Sequence, residues 1–357
     1  MQEGLEAGLE GGFAWGAIYG IAVGLVVYWL GLGLTVRRLR RRSIGRQSYP
    51  PVSILIATHR PGEAQRLLQQ MCTLRYKAPW EVVVVLDRLP PKARQEIYEL
   101  IPQLPMPVQI VEVEATPPEW SPKKYALAQG LEKAQYPWVV VLDADVEVGE
   151  DYLERLLGEV GEGVDAVVGL GWLRAESKGV ELFAAWEAAL IQVESVGRAA
   201  WGYPYMTTGR GWAVKKSWLK QGLYLWHEVV SGDDDLTLQL IPSSKVRASG
   251  AATISGAPQS WGAYFRRKRR HLQTARYYKK GVWLSLAVLG VTYLGLWGIA
   301  WGSGRFWGAP LLVWIARGIA IQLSGAPLPP WALFWDPILL VLQALYPLLG
   351  LQRVRHW

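Results

Sequence analysis

Long apolar runs stand near both ends of this chain. No charged residue interrupts the sequence from Phe13 to Leu34 or from Val282 to Gly302. Each run is long enough to cross roughly 30 Å of hydrocarbon as a helix. A cleavable signal peptide would start with basic residues, whereas this chain starts with three glutamates. We therefore predict an external segment over 1–12, a transmembrane anchor over 13–34 and a C-terminal membrane region over 282–351.

Two further apolar runs in the C-terminal region contain one charge each. Arg317 lies in the run from Phe306 to Leu323, and Asp336 lies in the run from Trp331 to Leu351. In a helical hairpin these two charges would sit at equal depth, and lipid rejects a charge that is not paired. We predict a salt bridge between them. Four spans in total are favoured. If the run from Phe306 to Leu323 were instead an interfacial helix, the chain would have three spans and an internal tail, 352–357.

Basic residues cluster beside the membrane segments. The first cluster lies in 35–47, directly after the anchor, and the second lies in 266–281, directly before the next span. Such clusters mark the cytoplasmic side of a membrane and attract anionic lipid headgroups. The clusters therefore explain much of the net charge of +8 without nucleic acid. They place the middle segment, 48–265, in the cytoplasm of a cell (inner) membrane protein, where the lone Cys72 suits a reducing compartment.

The middle segment alternates short apolar runs with helical stretches. Continuous β-branched runs of this length are typical of parallel strands buried on both faces. The predicted strands are Val52 to Ala57, Glu81 to Leu86, Val108 to Val113, Val139 to Leu142 and Asp165 to Gly169. The predicted helices are Glu63 to Leu74, Lys92 to Leu100, Lys123 to Ala134 and Asp151 to Glu159. The fold class is therefore α/β, with ligands bound at the carboxyl ends of the strands.

Acidic residues follow at positions that suit a ligand site. Asp143 and Asp145 come directly after a predicted strand, and such a pair can hold a hard divalent cation or simply cap a turn. Lys123 begins a helix, where phosphate is already favoured by free N–H groups. Asp233, Asp234 and Asp235 form a triplet after a glycine. Three adjacent carboxylates repel one another, which indicates a site rather than an ordinary loop.

With these motifs in this order, the sequence resembles a membrane-bound family 2 glycosyltransferase of the inverting GT-A class. The resemblance covers about Val52 to Tyr278. It implies a GT-A, Rossmann-like nucleotide-sugar-binding domain in the cytoplasm, joined to transmembrane helices. The implied function is transfer of a sugar from a nucleotide diphosphate donor, with UDP favoured, to a lipid or lipid-linked acceptor. Mg²⁺ or Mn²⁺ is the implied cofactor, and membrane lipids are further partners.

The resemblance also implies a role for each matching residue. Asp233 would be the general base, Asp235 would orient a neighbouring group and Asp234 would face elsewhere. Asp145, with Asp143, would bind the metal. The donor would contact Thr58, Glu63, Asp87, Lys123, Asp143, Arg267 and Arg270. The acceptor or sugar would contact Gly209, Gly211, Trp212 and His271. For Arg267 and Arg270, plain headgroup binding is the alternative reading.

Several positions depart from the family pattern. Arg60-Pro61 and Gly232-Asp233 replace the usual N-E and E-D pairs. The Q-x-x-R-W element becomes Arg267 to His271, which lacks the flat tryptophan that processive synthases use at the acceptor end. This loss argues against a processive polysaccharide synthase, which stays as the alternative function. A non-catalytic membrane scaffold with a decayed transferase fold is the alternative from another class.

Overall fold

The computed structural model describes residues 2–42, 48–176 and 179–350, with side chains from Trp15 to Tyr346. Arg46 and the predicted tail, 352–357, lie outside this part of the chain. The strands are β1 (Val52–Thr58), β2 (Trp80–Asp87), β3 (Val108–Val113), β4 (Trp138–Asp143), β5 (Glu147–Val148), β6 (Ala166–Arg174), β7 (Trp212–Lys215) and β8 (Val246–Gly256). The helices are α1 (Gln2–Arg41), α2 (Glu63–Met71), α3 (Pro91–Leu100), α4 (Pro122–Lys133), α5 (Tyr152–Leu157), α6 (Val180–Ala200), α7 (Lys216–Leu225), α8 (Asp235–Leu240), α9 (Trp261–Ala275), α10 (Lys280–Ser303), α11 (Gly308–Ser324) and α12 (Asp336–Gly350).

The eight strands form one mixed sheet in the order β3-β2-β1-β4-β7-β6-β8-β5. β1 to β4 pair in parallel, as the buried β-branched runs predict, and β1 is buried along its whole length. β7 is antiparallel to both β4 and β6. The α/β prediction is confirmed. β1 and β4 end side by side, with Ala57 opposite Asp143, so the acidic motif lies at the sheet edge where ligands bind.

The sequence did not indicate several elements of the second half. β7 and β8 were not predicted, and β6 extends five residues beyond the predicted end at Gly169, to Arg174. The long helix α6 was not predicted either, although its side chains are almost entirely buried. A buried helix has no polar face, so its apolar positions show no period that a sequence could reveal.

A layer of helices covers one face of this second half. We call α1, α6 and α10 to α12 the helical layer. α1 packs along α11 so closely that a side chain at Gly33 would lie 2.6 Å from the Ala320 backbone. A side chain at Gly197 of α6 would likewise lie 2.6 Å from Leu32 Cδ2 of α1. Small residues therefore allow close helix contact here.

Two helices in the described part of the chain are long and apolar enough to cross a membrane. They are Trp15–Arg41, within α1, and α10, with mean hydropathies of 2.0 and 1.8. The other two predicted spans form shorter apolar helices, α11 and the stretch Pro330–Tyr346. Length and composition alone are weak evidence for a membrane protein.

The predicted salt bridge between Arg317 and Asp336 is confirmed. The Arg317 Nη2 donates to Asp336 Oδ1 at 2.8 Å, and both residues are buried. Two further donors reach the same carboxylate, the indole of Trp186 at 3.0 Å and the hydroxyl of Tyr293 at 2.9 Å. The pair thus joins α6, α10, α11 and α12.

Candidate active site

A cavity of about 580 Å³ opens at the carboxyl ends of β1 and β4. Its walls come from the ends of these strands, from the glycine-rich loop 206–211 before β7, from the segment 230–234 before α8 and from one face of α9. The topology brings most of the predicted site residues into this one place. They are Glu63, Lys123, Asp143, Asp145, Gly209, Asp233, Asp234, Asp235, Arg267, Arg270 and His271.

Lys123 connects the two acidic motifs. Its Nζ donates to Asp143 Oδ1 at 2.9 Å and lies 3.0 Å from Asp233 Oδ2. Lys123 lies in the first turn of α4, directly after Pro122. Proline is favoured at the start of a helix because an N–H group there has no acceptor within the helix. Ninety residues separate Asp143 from Asp233 in sequence, and a single ammonium holds them at one point of the cavity.

Gly209 fixes the geometry on the other side of the lysine. The Asp143 N–H donates to the Gly209 carbonyl at 2.7 Å, and the Gly209 N–H donates to Asp234 Oδ2. A Cβ at position 209 would lie 3.0 Å from both Asp143 Oδ1 and Lys123 Nζ. A larger residue at this position would therefore press on the ends of both ion-pair side chains.

The three carboxylates of the triplet have different partners. Asp234 accepts from the N–H groups of Asp235 and Gly209. Asp235 accepts from the Thr207 N–H at 3.3 Å and the Tyr278 hydroxyl at 2.6 Å, so it orients neighbouring groups as predicted. The prediction that Asp234 faces elsewhere is wrong, because its carboxylate holds the glycine-rich loop. Asp233 Oδ2 has no hydrogen-bond donor in the described structure, although Lys123 lies close to it.

Charge and burial separate the pKa values of these acids. Burial opposes ionisation of Asp143, but Lys123 outweighs it and holds the pKa of Asp143 below its ordinary value. Burial, together with Asp143, raises the pKa of Asp145. Burial and the charge of Asp233 raise the pKa of Asp234 to about 6. Burial and Asp234 raise the pKa of Asp235 well above its ordinary value. Burial is thus the first cause that separates these acids, and the neighbouring charges add to it.

One face of α9 supplies the basic wall of the cavity. Arg267, Arg270 and His271 are three and four residues apart, which places them on the same side of the helix. Lys268 holds this helix in place, since its Nζ contacts Glu187 Oε1 of α6 at 2.6 Å. Tyr264 donates to the same carboxylate at 2.7 Å. The predicted boundary between 265 and 266 therefore falls inside α9.

Four predicted site residues do not line the cavity. Asp87 is fully buried, and Arg88 occupies both of its carboxylate oxygens at 2.9 and 2.8 Å. Thr58 is 1% exposed and donates to the Arg60 carbonyl. Base or donor contacts by these two residues would require local rearrangement.

Gly211 and Trp212, at the end of the glycine-rich loop, also lie outside the cavity lining. Trp212 is fully buried in the core as the first residue of β7, so its ring offers no face to a sugar. Gly211 serves packing, because a Cβ there would lie 2.3 Å from the Tyr152 hydroxyl. Burial of Trp212 contradicts its predicted sugar contact, whereas the predicted contact at Gly211 stays a prediction, at a residue that does not line the cavity.

Arg210, which no motif indicated, faces the cavity between these glycines. It is 5% exposed, and its Nε and Nη1 have no hydrogen-bond partner in the described structure. An arginine between two glycines carries no distinctive sequence signal. Only its burial without partners distinguishes it from a surface arginine.

Comparison with known proteins gives a family. The sequence model of glycosyl transferase family 2 matches residues 14–221, more than half of the chain. A solved structure with a similar backbone is a mannosyltransferase from Pyrobaculum calidifontis in complex with GDP-Man and Mn²⁺. It has 19% sequence identity and a TM-score of 0.48, covering 93% of this chain and 94% of the other. No curated protein sequence matches. By the family match, this α/β chain with its acidic strand-edge cavity belongs to glycosyl transferase family 2 and is a nucleotide-sugar-dependent glycosyltransferase.

Proposed function

We propose that this enzyme transfers a sugar, with inversion, from a nucleoside diphosphate sugar to a lipid or lipid-linked acceptor at the inner face of a membrane. UDP is the proposed nucleotide. The observation that carries the proposal is the ion-pair cluster Asp143–Lys123–Asp233. It joins the acidic motif that would meet the donor diphosphate to the carboxylate that would meet the acceptor hydroxyl.

Asp233 is the general base in this proposal. An inverting transfer needs an ionised carboxylate that takes the proton of the attacking hydroxyl. Asp234 and Asp235 already accept hydrogen bonds on both of their oxygens. Asp233 Oδ2 accepts none, although Lys123 Nζ lies 3.0 Å away. Of the three carboxylates, Asp233 is therefore the one with a buried oxygen that accepts no hydrogen bond, and we assign this oxygen to the acceptor hydroxyl.

A divalent cation fits beside this cluster. Asp145 is exposed to the cavity, and carboxylate oxygens are the ligands that Mg²⁺ and Mn²⁺ prefer. The described residues contain no group of three or more metal-ligating side chains, so Asp145 and Asp143 would share the ion with phosphate and water. A bound cation would supply positive charge to a departing diphosphate. Arg267 and Arg270 would bind its oxygens, and Glu63 lies at the same rim.

The helical layer supports a membrane location. Only 11% of the most apolar 18-residue stretch of α10 is buried in the protein. Large apolar side chains such as Trp283, Val291 and Trp301 are exposed. Protein does not cover this surface, whereas hydrocarbon would. We propose that α1 and α10 cross the membrane, with the catalytic cavity on the cytoplasmic side beside the basic residues of α9.

One assay tests the function and its alternatives. Purified protein is incubated with a panel of labelled nucleotide sugars and a lipid extract, and the product is sized. We expect one labelled donor and one discrete lipid-soluble product. A ladder of products would indicate a processive synthase instead, and absence of turnover with every donor would favour the scaffold.

A further inference from the structure

A groove of about 740 Å³ lies in the helical layer, between the C-terminal end of α1 and α11. We call it the α1–α11 groove. The 3₁₀ helix Pro330–Trp335 contributes a third wall. Three arginines of α1 and an apolar surface of α11 line the groove: Arg37, Arg40, Arg41, Ile315, Ile319 and Leu323. None of the described residues that line it is acidic. The groove therefore combines uncompensated positive charge with an apolar wall.

The two helices run in the same direction, which orders charge and apolar surface along one axis. Gly33 of α1 lies against Ala320 of α11, and seven residues further along α1 the Arg40 side chain reaches Gly325, which follows α11. The arginines therefore lie beside the C-terminal end of α11. The apolar wall continues from that end toward the N-terminus of α11, through residues about one helical turn apart.

The three arginines of the groove differ in their partners. Arg40 Nη1 donates to the carbonyls of Ser324 at 2.8 Å and Gly325 at 2.7 Å, at the end of α11, where carbonyl groups lack acceptors' partners within the helix. Arg37 and Arg41 make no hydrogen bond or ion pair with the described part of the chain. They are four residues apart, so they share one face of α1. Arg40 thus caps a helix, and two guanidinium groups remain for an anion.

The apolar part of the groove is not covered by protein. Ile315 and Ile319 are both exposed, and so is Trp331, which follows Pro330 in the third wall. Tryptophan is enriched where a membrane meets water. A small soluble anion at the arginines would leave these apolar side chains in water, whereas a hydrocarbon chain would cover them. The groove therefore suits a ligand with both an anionic head and an apolar chain.

We propose that the α1–α11 groove binds one anionic phospholipid of the inner leaflet, whose phosphate contacts Arg37 and Arg41 and whose acyl chains lie along Ile315 and Ile319. This site shares no lining residue with the catalytic cavity. The inference rests on the membrane location given under the proposed function. The guanidinium fork of arginine matches phosphate oxygens, and with α1 as a span its basic end lies at the depth of the headgroups.

Such a site differs from the general attraction between basic residues and anionic lipids. That attraction depends on net charge, so Arg38 and Arg42 would contribute to it as much as Arg37 and Arg41. In the groove only the second pair lies beside the apolar wall. Arg38 and Arg42 do not line it, and Arg42 instead pairs with Glu159 at 3.0 Å. The two pairs of arginines therefore give two double variants of equal net charge.

Lipid binding by the full chain in detergent tests the site. Delipidated protein is titrated with dioleoylphosphatidylglycerol or dioleoylphosphatidylcholine, and bound lipid is counted by native mass spectrometry. We expect one phosphatidylglycerol per chain at concentrations where phosphatidylcholine does not bind. Arg37→Gln with Arg41→Gln should weaken this binding about 10-fold or more, because hydrogen bonds to a charged group are lost. Arg38→Gln with Arg42→Gln is the matched control and should stay within about 2-fold of the wild type, since salt screens exposed charges outside the groove.

Three results would overturn the inference. Equal weakening by the two double variants would mean general electrostatic attraction and no site. Equal binding of phosphatidylcholine and phosphatidylglycerol would mean that the arginines do not select an anionic headgroup. Inorganic phosphate should compete only at concentrations about 100-fold higher or more, because it has no acyl chain. Competition at equal concentrations would make the groove a site for free anions and would reject the lipid.

Failure of this inference is distinguishable from failure of the proposed function, because lipid binding is measured without turnover. Phosphatidylglycerol binding that depends on Arg37 and Arg41, with no transfer from any nucleotide sugar, would keep the groove and reject the function. Normal transfer to a lipid acceptor, with equal phosphatidylglycerol affinity in the two double variants, would keep the function and reject the groove. In detergent without phosphatidylglycerol both double variants should transfer sugar at the wild-type rate, since none of the four arginines lines the catalytic cavity.

Discussion

The candidate active-site cavity and the helical layer both contain buried charges, but the hydrogen-bond partners of these charges differ. In the helical layer, Asp336 has Arg317, Trp186 and Tyr293 as partners. The buried Nε of Arg317 lacks an acceptor, and its guanidinium lies 5.0 Å from the Trp29 ring centre and 4.6 Å from that of Tyr293. In the cavity, Arg210 Nε and Nη1 lack acceptors, and Asp233 Oδ2 accepts no hydrogen bond although it forms an ion pair with Lys123. Satisfied charges hold helices together, and unsatisfied charges are available to a substrate.

The largest expected effect comes from removing the proposed base. Asp233→Asn should lower turnover by a factor on the order of 10² to 10⁴, which is the usual contribution of a general base. Nucleotide binding should persist, because Lys123 retains Asp143 as its partner. Turnover and UDP affinity are compared among Asp233→Asn, Asp234→Asn and Asp235→Asn. An inactive Asp234→Asn beside an active Asp233→Asn would move the base by one residue.

Breaking the satisfied pair of the helical layer should cost stability rather than chemistry. Arg317→Leu leaves the buried Asp336 carboxylate without its cation, which typically costs about 3–5 kcal/mol of unfolding free energy. Arg317→Leu with Asp336→Asn should recover much of this loss, because asparagine still accepts from Trp186 or Tyr293. Thermal unfolding in detergent measures both. A double variant no more stable than Arg317→Leu would mean that the two charges are not coupled.

Removal of the proposed metal ligand should act on the cavity alone. Asp145→Asn should lower transfer by about 100-fold, since a metal supplies several kcal/mol of charge stabilisation to the diphosphate. It should also weaken UDP binding measured with Mn²⁺ present. Full wild-type activity in EDTA would exclude this role.

The sequence predicted the parallel half of the fold because local and global signals agree there. The strands β1, β2 and β4 have buried apolar runs rich in β-branched residues, and a predicted helical stretch lies in each connection between the first four strands. The Arg317–Asp336 pair was predictable for a similar reason, since a charge in an apolar run requires a partner. In both cases the signal is contained within a short stretch of chain.

Long-range packing determines what the sequence did not predict. Trp212 looked like a sugar platform because it follows a glycine-rich segment, but pairing of β7 with β4 and β6 turns it into the core. Arg210 looked ordinary because its missing partners become visible only when the loop is folded over Gly171. No spacing rule contains these facts.

The smallest expected effect concerns the pH dependence of stability. Removing the charge of a cavity carboxylate and removing that of a structural carboxylate should change the unfolding free energy in opposite directions. Asp234 has a pKa raised to about 6 by burial and Asp233. For Asp165 burial also opposes ionisation, but hydrogen bonds from Lys215, Trp218 and Lys245 outweigh it and lower its pKa.

A carboxyl group whose pKa is raised by folding stabilises the fold at pH values below its pKa in the unfolded chain, near 4. This contribution is lost as pH rises through the folded-state pKa of about 6. Asp234→Asn should therefore be more stable than the wild type at about pH 7.5, by about 1–2 kcal/mol, and the difference should vanish near pH 4. A lowered pKa stabilises above the unfolded value, so Asp165→Asn should be less stable at about pH 7.5 and approach the wild type as pH falls below about 4. Denaturant unfolding across this range measures both variants. If Asp234→Asn were the less stable protein at about pH 7.5, the hydrogen bonds that the two carboxylate oxygens accept would outweigh the cost of the buried charge, and the predicted sign would be wrong.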